Sequence, residues 1–205
     1  MKKVLVIVAH PDDETIWMGG MLLKNNWDIT IISLCRRDDK DRMPKFKKVC
    51  QKYNAKCFIS DLDDESLEPV SYEEIENRIL EFLGHEVDYD YIFTHGENGE
   101  YGHIRHKDIH KAVKDMIKNK KIRCEAVFFF SYLKKENNYQ GYCICDSNAN
   151  KLINLDEVEF LEKKKLITEV YGFENGGFEE KSCGDKESFL KINKNEMFSS
   201  FSLSN

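Results

Sequence analysis

Apolar runs of strand length alternate along this chain with stretches in which apolar residues recur at helical spacing. The strand-like runs lack polar alternation, which is typical of strands that are buried on both faces of a parallel sheet. They are KVLVIVA (3–9), ITIISLC (29–35), KCFIS (56–60), YIFT (91–94) and AVFFFS (126–131). Because helical patterns separate them, the sequence predicts a Rossmann-like three-layer α/β sandwich with a mostly parallel sheet.

The pattern changes after Tyr132. YQGYCIC (139–145) and KLINL (151–155) predict two short strands, as a hairpin or an addition to a sheet edge, and residues 158–170 predict a helix. Residues 172–205 are rich in Gly, Ser and Glu, which predicts an irregular C-terminal segment. With 205 residues and no repeats, the chain is expected to form one domain over residues 1–205.

Composition argues against several classes of partner. The net charge of −6 disfavours nucleic acid, because phosphate binding needs a basic surface. No apolar stretch has the length of a membrane span, and the run after Met1 is too short for a signal peptide. The seven cysteines are scattered without a CxxC pair, as expected for reduced thiols in a cytoplasmic protein.

Polar clusters follow two of the predicted strands directly. AHPDDE (9–14) comes after VLVIV (4–8), and THGENGEYGHIRH (94–106) follows the fourth predicted strand. In open α/β sheets, ligands bind beyond the carboxyl ends of the strands. Both clusters are therefore expected at the same edge of the sheet, where they can meet despite their separation in sequence.

The two clusters contain the residue types of a metal site. The available ligands are His10, Asp13, His103 and His106, with Asp12 and Asp90 nearby in sequence. Two histidines and a carboxylate leave one position of a tetrahedral zinc open for water, which is the catalytic arrangement. The alternative is ordinary helix capping by Pro11 and the acidic residues. Two matching clusters at strand ends favour the metal site, where a divalent cation compensates the grouped carboxylates.

These motifs resemble the LmbE/PIG-L family of metal-dependent de-N-acetylases, which remove acetyl groups from N-acetylglucosaminyl conjugates. The family fingerprint is an AHPDDE segment at the end of the first strand and a later HxxH. Here these are Ala9–Glu14 and His103–His106, and a family-like GEYG (99–102) precedes the second motif. The resemblance covers residues 3–131 well and the remainder weakly.

The resemblance implies a role for each matching residue. It implies zinc ligands, with Fe²⁺ as the alternative metal, at His10, Asp13 and His106. It implies a general base at Asp12, an oxyanion-stabilising His103 and an active-site Tyr101. Glu14 is expected either to orient a ligand histidine or to close the helix N-terminus, and His95 is expected just outside the metal ligands. The products would be acetate and a free amine.

Candidate substrate-binding residues lie in three loops. In the family an arginine near CRRDDKDR (35–42) contacts the substrate, and the best match is Arg42, with Arg36 and Arg37 as alternates. Asp61 or Asp63 could bind sugar hydroxyls, although a plain acidic loop is the alternative. Many relatives carry Pro-Asp between the two motif histidines, where this chain has Ile104-Arg105. Arg105 is therefore expected at the rim of the cleft, where it would favour an anionic substrate.

The sequence thus predicts a cytoplasmic zinc hydrolase that de-N-acetylates a small-molecule amino-sugar conjugate of the N-acetylglucosamine type. Two alternatives stay open. One is a hydrolase of a different amide or of an ester that uses the same metal ligands, and the other is a non-catalytic sugar-binding protein. The aglycone and the oligomeric state, a homo-oligomer included, do not follow from the sequence.

Overall fold

The computed structural model describes residues 1–66, 68–135 and 141–202, without the side chains of residues 198–200 and 202. Its strands are β1 (Lys3–Val8), β2 (Asp28–Ser33), β3 (Lys56–Ile59), β4 (Asp88–Thr94), β5 (Arg123–Phe130), β6 (Tyr132–Lys135), β7 (Tyr142–Cys145), β8 (Lys151–Asn154) and β9 (Lys186–Asn193). Its helices are α1 (Asp13–Lys24), α2 (Arg42–Lys52), α3 (Tyr72–Leu83), α4 (Gly99–Gly102), α5 (Ile104–Lys118), α6 (Glu157–Lys165), α7 (Phe178–Ser182) and α8 (Lys194–Ser202). A π-helical segment, Leu166–Tyr171, continues α6.

Seven of the described strands form one sheet, in the order β3–β2–β1–β4–β5–β9–β8. The strands from β1 to β5 run parallel, whereas β9 pairs antiparallel with β5 and β8 pairs antiparallel with β9. Strands β6 and β7 form a separate antiparallel pair. The predicted α/β class, with a mostly parallel sheet and a small strand pair, is confirmed.

The unbroken apolar sequence of β1 explains its central place in the sheet. Successive side chains of a strand point to opposite faces, so a strand that is covered on both faces needs apolar residues throughout. Val4, Val6 and Val8 pack into one apolar cluster, whereas Leu5 and Ile7 pack into a second. The sheet therefore lies between two cores, which gives the three predicted layers.

The C-terminal part differs from the prediction in two ways. Of the two predicted arrangements, the hairpin is not formed, because β7 pairs with β6, whereas β8 is the predicted addition to a sheet edge, next to β9. The prediction of an irregular segment over residues 172–205 is wrong, since this segment contains α7, β9 and α8. The polar residues of β9 misled the prediction: Glu187 and Ser188 are buried and hydrogen-bonded. Residues 139–140 and 203–205 of these predicted segments lie outside the described residues.

A kink divides α1, and a side chain from β9 stabilises the second half. Met18 departs from helical geometry, with φ −148° and ψ 16°. The backbone N–H groups of Gly20 and Met21 donate to the Glu187 carboxylate at 2.7 and 2.9 Å. Lys163 of α6 lies 2.9 Å from the same carboxylate, and both charged side chains are 0% exposed. A buried ion pair thus connects α1, α6 and the C-terminal strand.

No helix among the described ranges combines the length and the apolar character that crossing a membrane requires.

Cys57 of β3 is expected to be the most reactive thiol of the chain toward iodoacetamide. A hydrogen bond from Cys50 lowers the pKa of Cys57 to about 7, and Lys47 adds to the effect. The other six thiols have raised pKa values because of burial. The thiolate is the nucleophile, so the labelling rate at Cys57, followed by peptide mass mapping, should be half-maximal near pH 7 and level off above about pH 8.

A Cys57→Ser variant provides the control, because it should lose the fast labelling phase and keep the slow ones. A rate at Cys57 that still rises severalfold between about pH 7.5 and 8.5 would contradict the lowered pKa.

Candidate metal centre

His10, Asp13 and His106 lie together at the carboxyl ends of β1 and β4. His10 and Asp13 belong to the turn that leads from β1 into α1, and His106 lies in the first turn of α5. Because β1 and β4 are neighbours, residues 96 positions apart in sequence come into contact. The Nδ1 atom of His10 lies 3.2 Å from Oδ2 of Asp13 and 3.3 Å from Nε2 of His106, and the third side of this triangle is 3.5 Å.

The three donor atoms fit a divalent metal ion. Zinc binds nitrogen and oxygen ligands at about 2.0–2.2 Å in tetrahedral geometry, which separates neighbouring ligand atoms by about 3.3–3.6 Å. The triangle has nearly these dimensions. Burial alone would raise the pKa of Asp13, but His106, His95 and His10 outweigh it and hold that pKa well below its usual range. An ionised carboxylate with two imidazoles is a donor set that suits zinc or ferrous iron.

Glu100, which sequence reasoning missed as a site residue, orients His106. Its Oε2 lies 2.5 Å from Nδ1 of His106 and 3.0 Å from Nδ1 of His95, and its Oε1 accepts the Gly96 N–H at 2.7 Å. Burial opposes ionisation of Glu100, but His95 and His106 lower its pKa to about 2. A proton on Nδ1 of His106 leaves Nε2 free for a metal. The only indication of this role in the sequence was the single charged residue within GEYG (99–102).

His95 lies just outside the three candidate ligands, where the sequence placed it. Its Nε2 accepts the Ala9 N–H at 2.9 Å, and its Nδ1 faces Glu100. Its ring stacks on that of His106 with centroids 3.8 Å apart. His95 therefore fixes both the end of β1 and the plane of a candidate ligand.

Asp12 lies beside the triangle and contributes no atom to it. Its φ of 120° is uncommon for a residue with a side chain, and this backbone turns the carboxylate toward α2. There Nη1 of Arg42 lies 2.5 Å from Oδ2. Burial and the neighbouring Asp13 raise the pKa of Asp12 well above its ordinary value.

Glu14 stabilises this turn. It accepts the Asp12 N–H at 3.1 Å and the hydroxyls of Thr15 and Tyr171, each at 2.7 Å. Burial raises the pKa of Glu14 to about 6. Of the two expected roles, closing the helix N-terminus matches these contacts, and the described contacts of Glu14 include no ligand histidine.

A cavity of about 740 Å³ opens over the candidate ligands, and Tyr101 and His103 line it. His103 Nδ1 accepts the Arg105 N–H at 3.2 Å, which places the ring proton of the neutral form on Nε2. Burial, together with His106 and His10, lowers the pKa of His103 to about 4, so the ring is neutral near pH 7. Phe173 and Phe178 also line the cavity, and the centroid of the Phe178 ring lies 4.9 Å from that of Tyr101.

A known protein family matches the part of the chain that carries the three candidate ligands. The family model described as PIG-L, GlcNAc-PI de-N-acetylase, matches residues 5–117, more than half of the chain. The chain belongs to the PIG-L family. This confirms the resemblance.

One relative and one solved structure illustrate the similarities of this PIG-L family chain. The uncharacterized protein L374 of Acanthamoeba polyphaga mimivirus is 30% identical over 128 residues, which are 55% of this chain and 56% of that protein. The chain thus spans about half the length of this curated relative. The crystal structure of GalB, the 4-carboxy-2-hydroxymuconate hydratase of Pseudomonas putida KT2440, has a TM-score of 0.56 at 15% identity. The match covers 82% of this chain and 78% of the GalB chain, which shows that the two proteins share a fold.

Three of the four candidate substrate-binding residues of the PIG-L chain do not line the cavity. The guanidinium of Arg105 is fully buried and binds the Asp63 and Glu68 carbonyls and the Asp108 carboxylate. Asp61 pairs with Arg37 and Arg78 on the surface, and Asp63 pairs with Arg105 and Ser66. These contacts fasten the loop after β3. Arg42 does line the cavity, and so does Asp64, the next residue of that loop.

Proposed function

We propose that this PIG-L family protein is a zinc-dependent hydrolase that removes the acetyl group from an N-acetylglucosamine-type conjugate. The observation that carries the proposal is the triangle of donor atoms from His10, Asp13 and His106, because His10 and Asp13 line a cavity that Asp12 also lines. Such a volume lies within the usual range for small-molecule sites, about 300–1,000 Å³. Family membership supports the reaction class.

A divalent metal held by these three residues would polarise an amide carbonyl and lower the pKa of water to about 7. Asp12 is the proposed general base, because its carboxylate lies at the cavity wall next to the ligands. It would take a proton from the attacking water and return it to the departing amine. This transfer leaves acetate and a free amine, and Asp12 ends in its starting state.

His103 and Tyr101 would stabilise the charge that develops on the carbonyl oxygen. The Nε2–H of neutral His103 is a hydrogen-bond donor at the cavity wall. Burial raises the pKa of Tyr101, so its hydroxyl keeps its proton and remains a donor. Donors of this kind typically contribute about 10²–10³ to the rate.

The substrate is proposed to contact Arg42, whose guanidinium lies 4.3 Å from the centroid of Phe173 and lines the cavity. A small molecule is favoured over nucleic acid because the chain carries a net charge of −6. The seven free cysteines support a cytoplasmic location.

The test is acetate release from a panel of N-acetylglucosaminides with neutral, phosphorylated and alkyl aglycones. Zinc-loaded protein is expected to release acetate and free amine in equal amounts, to lose activity with a chelator, and to recover when zinc or Fe²⁺ is added back. His106→Ala, which removes one ligand, provides the inactive control. If zinc binds tightly and no member of the panel yields acetate, the substrate assignment fails, and other amides and esters become the candidates.

A further inference from the structure

We propose that Asp64 is a positioning residue that holds His10 in the orientation needed for metal binding. This inference rests on the proposed metal site and not on the proposed substrate. Asp64 lies in the loop after β3, outside both sequence motifs that define the candidate ligands.

His10 directs its two ring nitrogens to different partners. Nδ1 belongs to the triangle with Asp13 and His106, whereas Nε2 lies 3.0 Å from Oδ1 of Asp64. The Asp64 side chain is only 6% exposed. A proton on Nε2, held by this carboxylate, leaves the lone pair of Nδ1 for the metal. Metal-binding histidines almost always have such a partner on the second nitrogen.

Oδ1 of Asp64 is a buried oxygen for which the described residues offer no aligned hydrogen bond. The nearest ring nitrogens are Nε2 of His10 at 3.0 Å and Nε2 of His103 at 3.8 Å. Buried carboxylate oxygens are rarely left without a donor. Because Nε2 of His10 is the nearer of the two, its N–H is the donor that Asp64 is placed to accept.

Asp64 is itself held from the other side. Nη2 of Arg36 lies 2.7 Å from Oδ2 of Asp64. Arg36 has a φ of 73°, a backbone conformation that residues with side chains keep only where surrounding contacts enforce it. The loops after β2 and β3 therefore form a chain of contacts, in which Arg36 holds Asp64 and Asp64 faces His10. It matches the support that Glu100 provides for His106 on the other side of the site.

The nearby Asp61 provides a matched comparison. It also pairs with arginines, Arg37 and Arg78, but it lies outside the cavity and its described contacts include no histidine. Loss of an ion pair in this loop can therefore be separated from loss of the contact with His10.

The first measurement is zinc affinity, by competition with a chromogenic chelator, for wild type, Asp64→Ala, Asp64→Asn and Asp61→Ala. Asp64→Ala is expected to bind zinc about 10- to 100-fold more weakly. Asp64→Asn keeps an acceptor oxygen and should recover part of the loss, and Asp61→Ala should bind like wild type. An Asp64→Ala affinity within about twofold of wild type would overturn the proposal.

The second measurement is the ¹⁵N spectrum of the histidine rings in the zinc-loaded protein. Wild type should show a protonated His10 Nε2 that is protected from solvent exchange, Asp64→Ala should lose that protection, and Asp64→Asn should keep only part of it. If Asp64→Ala does not fold, as judged by circular dichroism, Asp64→Asn decides: wild-type affinity with unchanged protection of Nε2 would refute the role. Neither measurement uses an acetylated substrate, so failure of the deacetylation panel and failure of this proposal are distinguishable.

Discussion

Replacement of Asp12 by asparagine is expected to lower kcat for deacetylation by about 10²- to 10⁴-fold. The amide keeps the shape of the side chain, and Asn tolerates a positive φ better than most residues, so the strained turn should persist. The variant cannot take the proton from water. Zinc binding should survive, because Asp12 contributes no atom to the triangle of His10, Asp13 and His106.

The measurement pairs steady-state kinetics with zinc content by elemental analysis, so that loss of metal is not mistaken for loss of a base. Glu174→Gln is the control, since Glu174 also lines the cavity but its described contacts include neither Asp12 nor a candidate ligand. It should leave kcat largely unchanged. If Asp12→Asn with zinc bound keeps more than about a tenth of the wild-type kcat, the general base must be sought elsewhere.

Lys163→Met is expected to lower the free energy of unfolding by about 3–5 kcal/mol. The substitution preserves the apolar stem of the side chain but leaves the Glu187 carboxylate buried without a counter-charge. Burial lowers the pKa of Lys163, but Glu187 outweighs it and raises that pKa, so Lys163 carries its charge in the native protein. A loss of this size corresponds to a drop in Tm of about 6–20 °C, measurable by calorimetry and by urea unfolding.

Lys194→Met tests whether any lost ion pair has the same effect. Lys194 lies 2.6 Å from Glu125, but both side chains are largely exposed, so stability should hardly change. The double variant Lys163→Met with Glu187→Gln removes both charges and should be more stable than Lys163→Met alone. If Lys163→Met lowers stability no more than Lys194→Met does, the buried pair does not stabilise the fold.

The parallel half of the sheet could be predicted because local sequence and tertiary environment agree there. An unbroken apolar run such as Val4–Val8 suits only a strand covered on both faces. The meeting of His10 with His106 was predictable too, since the carboxyl ends of neighbouring parallel strands share one edge. In both cases the pattern that supports the prediction lies within short stretches of sequence.

The remainder depends on contacts that no short stretch contains. The loop DLDD (61–64) offers three carboxylates, and its conformation places Asp64 in the cavity and leaves Asp61 outside. Glu100 looks like an ordinary loop residue until His95 and His106 surround it. In β9, Glu187 resembles a surface residue because its partners, Lys163 and the backbone of α1, are distant in sequence.

The contact of Glu187 with Gly20 has a consequence for the nascent chain, because the two residues are 167 positions apart. At about 5–20 residues per second, a ribosome needs roughly 10–30 s to synthesise the interval. During that time α1 has emerged but lacks the carboxylate that caps its second half, and β5 lacks its neighbour β9. The segment that carries both metal-binding motifs therefore remains incompletely folded until residues that are translated much later have been synthesised.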